Sequence, residues 1–251
     1  MRETSHRSQS LSAVIVTHND KATLQRAIES LSWVDEIVVI DKGSTDNTIK
    51  LARKYTDKVF YHPSNDHAVL YEFALQMVSK QWILHLKPHE WVEEMLRHKI
   101  DGLLLSHNDV KAFSIPLRIY WKNQPVERGG FTARETRLIR KDIAKINDVV
   151  GHEGYTLSAP DIKSQALTEV IGAEPCQNFK TLANQCNHHS TGQAYEILSL
   201  GAPFYNKTSR SSLLLEPVSL FLYHFLLCGG FTEGAAGITL SYAASVERFL
   251  Q

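Results

Sequence analysis

Leu11-Ser12-Ala13-Val14-Ile15-Val16-Thr17 is a short apolar run, largely β-branched, set between polar stretches. Its apolar character is continuous and does not alternate, which suits a strand covered on both faces, as in a parallel sheet. A turn follows, in which Asn19 and Asp20 can cap a helix over residues 21–31. There Ala22, Leu24, Ala27, Ile28 and Leu31 recur at helical spacing. A second strand, Glu36-Ile37-Val38-Val39-Ile40, ends in Asp41. Lys42-Gly43-Ser44-Thr45-Asp46 then turns the chain into a helix carrying Ile49, Leu51 and Ala52. The order is strand, helix, strand, helix.

The same rhythm continues outward. Val59 and Phe60 fit a third short strand, residues 66–79 a helix with Ala68, Val69, Phe73, Ala74, Met77 and Val78 apolar, and residues 82–86 a fourth strand. Strands alternating with helices of this length require right-handed crossovers, so the expected fold class is α/β, a Rossmann-like, mostly parallel sheet flanked by helices. Ligands then belong at the carboxyl ends of the strands, where Asp41 and Lys87 stand. Beyond about residue 102 the rhythm changes. Residues 112–120 suit a strand containing Pro116, and a loop rich in Gly, Asn and Pro leads to Gly129-Gly130-Phe131, consistent with mixed strands. Residues 178–199 and 211–251 read as helical, the second stretch broken at Gly229-Gly230.

Bulk properties narrow the function. The 251 residues, 43% hydrophobic and 22% charged, are enough to bury a sizeable core. Lys plus Arg equals Asp plus Glu at 27 each, so no global field draws the chain to nucleic acid or to an anionic membrane. Cys176, Cys186 and Cys228 are odd in number and lack metal-ligand spacing, which fits a reducing compartment. Residues 1–10 are polar, with no apolar segment of a signal peptide, so the expected location is cytoplasmic.

The string Val14-Ile15-Val16-Thr17-His18-Asn19-Asp20, with residues 33–41 (WVDEIVVID) and Gly43-Ser44-Thr45-Asp46-Asn47-Thr48, resembles the opening of family 2 glycosyltransferases of the GT-A fold. Within that family, residues 82–84 (WIL), Gly129-Gly130-Phe131, Arg137-Leu138-Ile139-Arg140 and His152-Glu153 fall in an order similar to the lipopolysaccharide core glucosyltransferase branch. The match extends loosely to Gly229-Gly230-Phe231 and Gly237. The resemblance implies a GT-A domain over residues 11–175, with a nucleotide-sugar half at 11–100 and an acceptor half at 101–175. A flexible start at 1–10 and a helical extension at 176–251 complete it. It also implies inverting transfer of a hexose, glucose from a UDP-sugar, to a lipopolysaccharide inner-core or similar lipid-linked saccharide. The residues agree: the Asp41 carboxylate can accept from a uracil N–H or a ribose hydroxyl, and Thr17 and Asn19 offer short polar contacts. The Gly43–Asp46 turn also has a structural account, glycine permitting the bend, Ser44 or Thr45 capping the helix and Asp46 complementing its dipole.

One family element is replaced. The resemblance implies an acidic Asp-x-Asp, followed by Glu, after the fourth strand, whose carboxylates help hold Mg²⁺ or Mn²⁺ on the donor diphosphate; here the chain reads Lys87-Pro88-His89-Glu90. Hard divalent cations prefer oxygen ligands, so a conventional metal site is not expected, although Glu90 with His85 or His89 could take a softer cation. Three readings stand: Lys87, with His89, meets the diphosphate leaving group; the site has decayed into a nucleotide- or partner-binding module; or Lys87 is a solvated strand end. A related departure is Tyr71-Glu72 ahead of Phe73-Ala74-Leu75, where the family often carries Lys-Asn or Arg-Asn.

Inverting transfer needs a carboxylate to take the acceptor proton. Glu135 is the carboxylate between the Gly-Gly-aromatic and Arg-Leu-Ile-Arg elements, with Glu153 as second candidate and an ion-pair partner of Arg134 or Arg137 as the bland reading for Glu135. Arg137, Arg140 and Lys141 could meet an anionic acceptor or form a solvated face. Leu213-Leu214-Leu215 and residues 218–227 are apolar but too short to span a bilayer, so they pack on the domain or, as the family's lipid-linked acceptors imply, insert shallowly at the cytoplasmic face of the inner membrane. A nucleotidyltransferase is a remoter reading, since residues 17–20 are not a glycine-rich phosphate loop.

Overall fold

The computed structural model describes residues 8–105, 109–146, 154–158, 164–175 and 210–250. Among them, residues 8–105, 109–117, 133–146, 154–158 and 164–173 form one compact unit, and 118–132, 174–175 and 210–250 another.

The first unit is built on β1 (Leu11–Thr17), β2 (Glu36–Asp41), β3 (Val59–Tyr61) and β4 (Trp82–Leu86), parallel in the order β3-β2-β1-β4. Helices α1 (Lys21–Glu29), α2 (Thr48–Ala52) and α3 (His67–Met77) make the crossovers. All seven residues of β1 are buried because helices cover both faces. Ala13 and Ile15 pack with Leu24, Ala27 and Ile28 of α1, while Val14 and Val16 pack with Leu70, Tyr71 and Ala74 of α3. This two-sided burial explains why the sequence shows a solid apolar run in place of alternation. On α3 the inward face is Leu70, Tyr71 and Ala74; Val69 turns outward.

Beyond β4 the parallel rule ends. After β5 (Glu90–Val92) and α4 (Glu94–Leu105), which buries Leu96, Ile100 and Leu104, comes β6 (Ala112–Trp121). The short β7 (Gln124–Pro125) and then β8 (Arg134–Arg140) follow it. β8 runs antiparallel to both β4 and β6, with a bulge at Phe113/Ser114, because the link from β6 to β8 contains no crossover helix. The sheet is thus mixed, parallel over the four strands the apolar runs mark and antiparallel past them. β9 (Ala144–Ile146) pairs with β10 (Tyr155–Leu157), β11 (Gln165–Ala166) lies parallel to β6, and β12 (Ile171–Ala173) lies antiparallel to β5.

In the second unit the outer end of β6 turns into β7 through Lys122 and Asn123, both at positive φ (49° and 62°), the signature of a two-residue hairpin turn that matches strand twist. Ile119, Trp121, Val126 and Phe131 pack with Ala236 and Leu240. The C-terminal helices are α5 (Arg210–Leu222), which contains Pro217, and α6 (Ala235–Leu250). Between them lie a π turn (Tyr223–Leu227) and a 3₁₀ turn (Gly230–Glu233). The expected break falls at Gly229, whose φ is 77°. The helix expected over 178–199 lies outside the described residues. Among the described residues no helix is long and apolar enough to cross a membrane.

Candidate active site

In the order β3-β2-β1-β4 the chain runs outward from β1 to β3, then returns to place β4 on the other side of β1. The gap between the carboxyl ends of β1 and β4 is therefore a topological switch point, where open α/β sheets bind ligands. Thr17 pairs with Asp41 across β1 and β2, and Ile15 pairs with Leu86, so Asp41, Thr17 and Lys87 end three adjacent strands.

Two loops at these ends are stitched together. Asn19, at φ 58°, accepts at Oδ1 from the Thr45 N–H (2.8 Å), and its own N–H donates to Ser44 Oγ (2.9 Å). The buried Asp41 carboxylate accepts from the N–H groups of Gly43 and Ser44 (2.9 Å each) and from the Ser44 hydroxyl. Three contacts leave a carboxylate about one further lone-pair site for a ligand. The Asp46 carboxylate, not Ser44 or Thr45, supplies the oxygen at the start of α2, accepting from the Thr48 N–H (2.9 Å) and hydroxyl; these bonds hold Asp46 below its ordinary value against the opposing effect of burial. Nor does the Asp20 side chain cap α1. It turns back to accept from the His18 N–H (2.8 Å) and the Thr17 hydroxyl (2.9 Å), and burial raises its pKa despite those bonds.

At the end of β4 the chain makes a tight turn. The Lys87 N–H donates to Glu90 Oε2 (2.8 Å) and the Glu90 N–H to the Lys87 carbonyl (3.0 Å), which leaves Lys87 and His89 half-buried on the turn. Beneath lies a buried polar chain. Arg137, 1% exposed, donates from Nη2 to Glu90 Oε1 (2.8 Å), and the same nitrogen lies 3.0 Å from Glu135 Oε2. Arg137 Nη1 lies 3.1 Å from His85 Nδ1. A guanidinium only donates, so Nδ1 accepts and the imidazole N–H belongs at Nε2, which faces the Tyr71 hydroxyl at 2.5 Å. The Tyr155 hydroxyl donates to the Tyr71 carbonyl (3.2 Å), and burial pushes the Tyr155 phenol well above its usual range.

These contacts test the metal. Glu90 and His85, the residues read as companions of a softer cation, already surround a guanidinium, and among the described residues no group of three or more His, Cys, Asp or Glu side chains is arranged to hold a metal ion. Among the described residues, the side chains on this turn do not make a donor set for a divalent cation.

The structure brings Glu135 to this network and leaves it about a third exposed (36%). His152 and Glu153 lie outside the described residues, as do Cys176 and Cys186. The basic cluster read from the sequence separates: Arg137 is interior, Arg140 pairs with Asp142 (2.8 Å), and Lys141 Nζ donates to the Val78 carbonyl (2.6 Å). In the second unit, the Gly129 N–H donates to the Cys228 carbonyl (2.9 Å) and His224 Nδ1 sits 2.6 Å from the Gly129 carbonyl. The first Gly-Gly-Phe element is thereby joined to the turn that precedes the second.

Sequence reading missed the Arg137–Glu90 pair. The sequence carries no clear signal for it, because Arg137, Leu138 and Ile139 are buried in succession, on both faces of β8.

Known proteins supply the context for this geometry. The lipopolysaccharide core biosynthesis glycosyltransferase LpsC of Rhizobium meliloti (strain 1021) is 33% identical over 96% of this chain and 89% of its own length. An uncharacterized glycosyltransferase of Rickettsia felis is 28% identical over 97% of this chain and 88% of its own. Among solved structures, a glucosyl-3-phosphoglycerate synthase from Mycobacterium tuberculosis has 15% identity and a TM-score of 0.48, with 78% of this chain and 81% of that one covered. The family model described as glycosyl transferase family 2 matches residues 12–148, more than half of the 251-residue chain, and spans the strand ends above. With that match and the relationship to LpsC, this chain belongs to glycosyl transferase family 2.

Proposed function

We propose that this chain transfers glucose from a UDP-sugar, with inversion, to a lipopolysaccharide inner-core or similar lipid-linked saccharide. The observation that carries the reading is the row of strand ends Asp41, Thr17 and Lys87 at the topological switch point. In this mechanism Asp41, Thr17 and Asn19 hold the nucleoside. Lys87, with His89 on the same turn, faces the diphosphate, where a positioned ammonium stabilises the charge that develops as UDP departs. The acceptor oxygen attacks the anomeric carbon from the opposite side, and its proton passes to Glu135, or to Glu153 as the alternative base. No step runs through a metal ion, because Glu90 is committed to Arg137.

The acceptor class is supported by the printed name of the LpsC relative. Work at the cytoplasmic face of the inner membrane, through peripheral contact, is supported by the outward apolar side chains of Leu215, Val218, Leu222 and Leu226 at helical spacing. Residues 11–100 serve the donor, 101–175 the acceptor, and 176–251 form an extension.

A second reading, a catalytically impaired homologue that binds a nucleotide or a partner, is favoured by one observation: the Glu135 carboxylate already has a cationic neighbour in Arg137. Titration calorimetry with UDP and UDP-glucose, in EDTA and in Mn²⁺, together with an assay of UDP release on adding acceptor, separates the readings: binding without release is the impaired homologue. Transfer predicts binding of both in EDTA, weakened about tenfold or more by Lys87→Ala. Absence of nucleotide binding in either buffer overturns it.

A further inference from the structure

Arg137 holds two carboxylates with one nitrogen. Glu90 Oε1 and Glu135 Oε2 lie 2.8 Å and 3.0 Å from the same Nη2, and Glu90 uses its other oxygen to accept the Lys87 N–H at 2.8 Å. One covalently held cation therefore links the residue proposed to take the acceptor proton with the turn proposed to face the diphosphate. The opposite side of the guanidinium meets His85, itself fixed by Tyr71 from α3, so the fork cannot rotate without breaking a buried contact. Burial matters here: Arg137, Glu90 and His85 are each 1% exposed, whereas Glu135 alone reaches solvent. A side chain that is one-third exposed and bound to a rigid interior group has its direction set from within.

We infer that Arg137 is a positioning residue for transfer: it aims the Glu135 carboxylate and ties it, through Glu90, to the Lys87 turn. This rests on the donor-transfer reading given above. Arg137 touches neither substrate in this scheme and acts through Glu135. Lysine cannot replace it, since a single ammonium on a flexible stem does not bridge two carboxylates and an imidazole in one plane.

Removing Arg137 alone strands a buried Glu90, which can unfold the chain and mask the effect. The test therefore compares the unmodified protein with Arg137→Lys, Arg137→Met and the double variant Arg137→Met/Glu90→Gln. The double variant removes both buried charges yet keeps an amide oxygen for the Lys87 N–H. Thermal unfolding and steady-state transfer from UDP-glucose are measured for each, with acceptor saturating.

The double variant is expected to recover most of the melting temperature lost in Arg137→Met. Its KM for UDP-glucose should stay within about threefold of the unmodified protein while kcat falls on the order of a hundredfold, the range for a displaced general base. Arg137→Lys should show the same split. Recovery of kcat together with melting temperature in the double variant would show that Arg137 only supports the fold, and overturns the inference while leaving transfer intact. Absence of turnover in the unmodified protein overturns the transfer reading and the inference with it.

Discussion

Glu36 shows how a single side chain can be central to the fold without belonging to the site. Nearly buried at the start of β2, it accepts from the Ser12 hydroxyl, from the Ser79 N–H (2.8 Å) and hydroxyl (2.7 Å), and from the Lys58 ammonium. Burial by itself would raise its pKa, but these four donors outweigh it and hold the carboxyl at about 2. The ordinary value is 4.5, so the ionised form is favoured in the folded chain and its contribution is complete above about pH 4.5. It is lost as pH falls from there toward 2. Urea unfolding between pH 7 and pH 3 should show this decline, and Glu36→Gln should cost about 3 kcal/mol at pH 7 and flatten the acid limb. The sequence offered no sign of this role, because a glutamate heading a strand reads as a polar boundary. Its partners come from β1, from the approach to β3 and from the loop after α3, and only the fold assembles them. Arg137 was hidden for a similar reason, since an arginine in Arg-Leu-Ile-Arg reads as surface until the strand's direction is known.

At the scale of elements, legibility followed burial. β1, β2 and β4 were readable as parallel strands because helices cover both of their faces and their apolar residues run consecutively without alternating. β5 and β12 are three residues each and carry no periodicity, so they emerged only with the structure. Their pairing has a clear requirement: a Cβ on Gly172 would lie 2.3 Å from the Trp91 ring. The C-terminal break was legible in Gly229-Gly230, but the reason for Gly237 was not. A Cβ there would lie 1.8 Å from the Gly230 carbonyl oxygen, so α6 can approach the 3₁₀ turn only with glycine at that position. Gly237→Ala is expected to destabilise the second unit by about 1–3 kcal/mol, seen as a lowered urea midpoint for the tryptophan signal or an early separate transition. Gly234→Ala, with nothing within 4 Å of its Cβ but φ of 58°, should cost about 1 kcal/mol through backbone strain.

For the molecule as a whole, the sequence placed the family and the parallel half of the sheet, and the structure supplied the physical content of the replaced acidic motif. Asp41, Thr17 and Asn19 were legible as strand-end residues; the duty of Asn19 in knitting the two loops together was not, because its bonds cross from the first loop to Ser44 and Thr45. Lys87-Pro88-His89-Glu90 read as the loss of a metal site. In the fold it is a turn whose glutamate is bound by an internal guanidinium, and Lys87 is the cation that the turn itself carries. The mechanism proposed for this arrangement transfers glucose without a divalent cation. Proton NMR of UDP-glucose with a lipopolysaccharide core acceptor in excess EDTA tests it most directly. The expected result is UDP release matched by a new β-linked glucosyl anomeric signal, at a rate changed less than about threefold by added Mn²⁺ and reduced on the order of a hundredfold in Glu135→Gln. Transfer that begins only when Mn²⁺ is supplied, or no transfer under either condition, would contradict it.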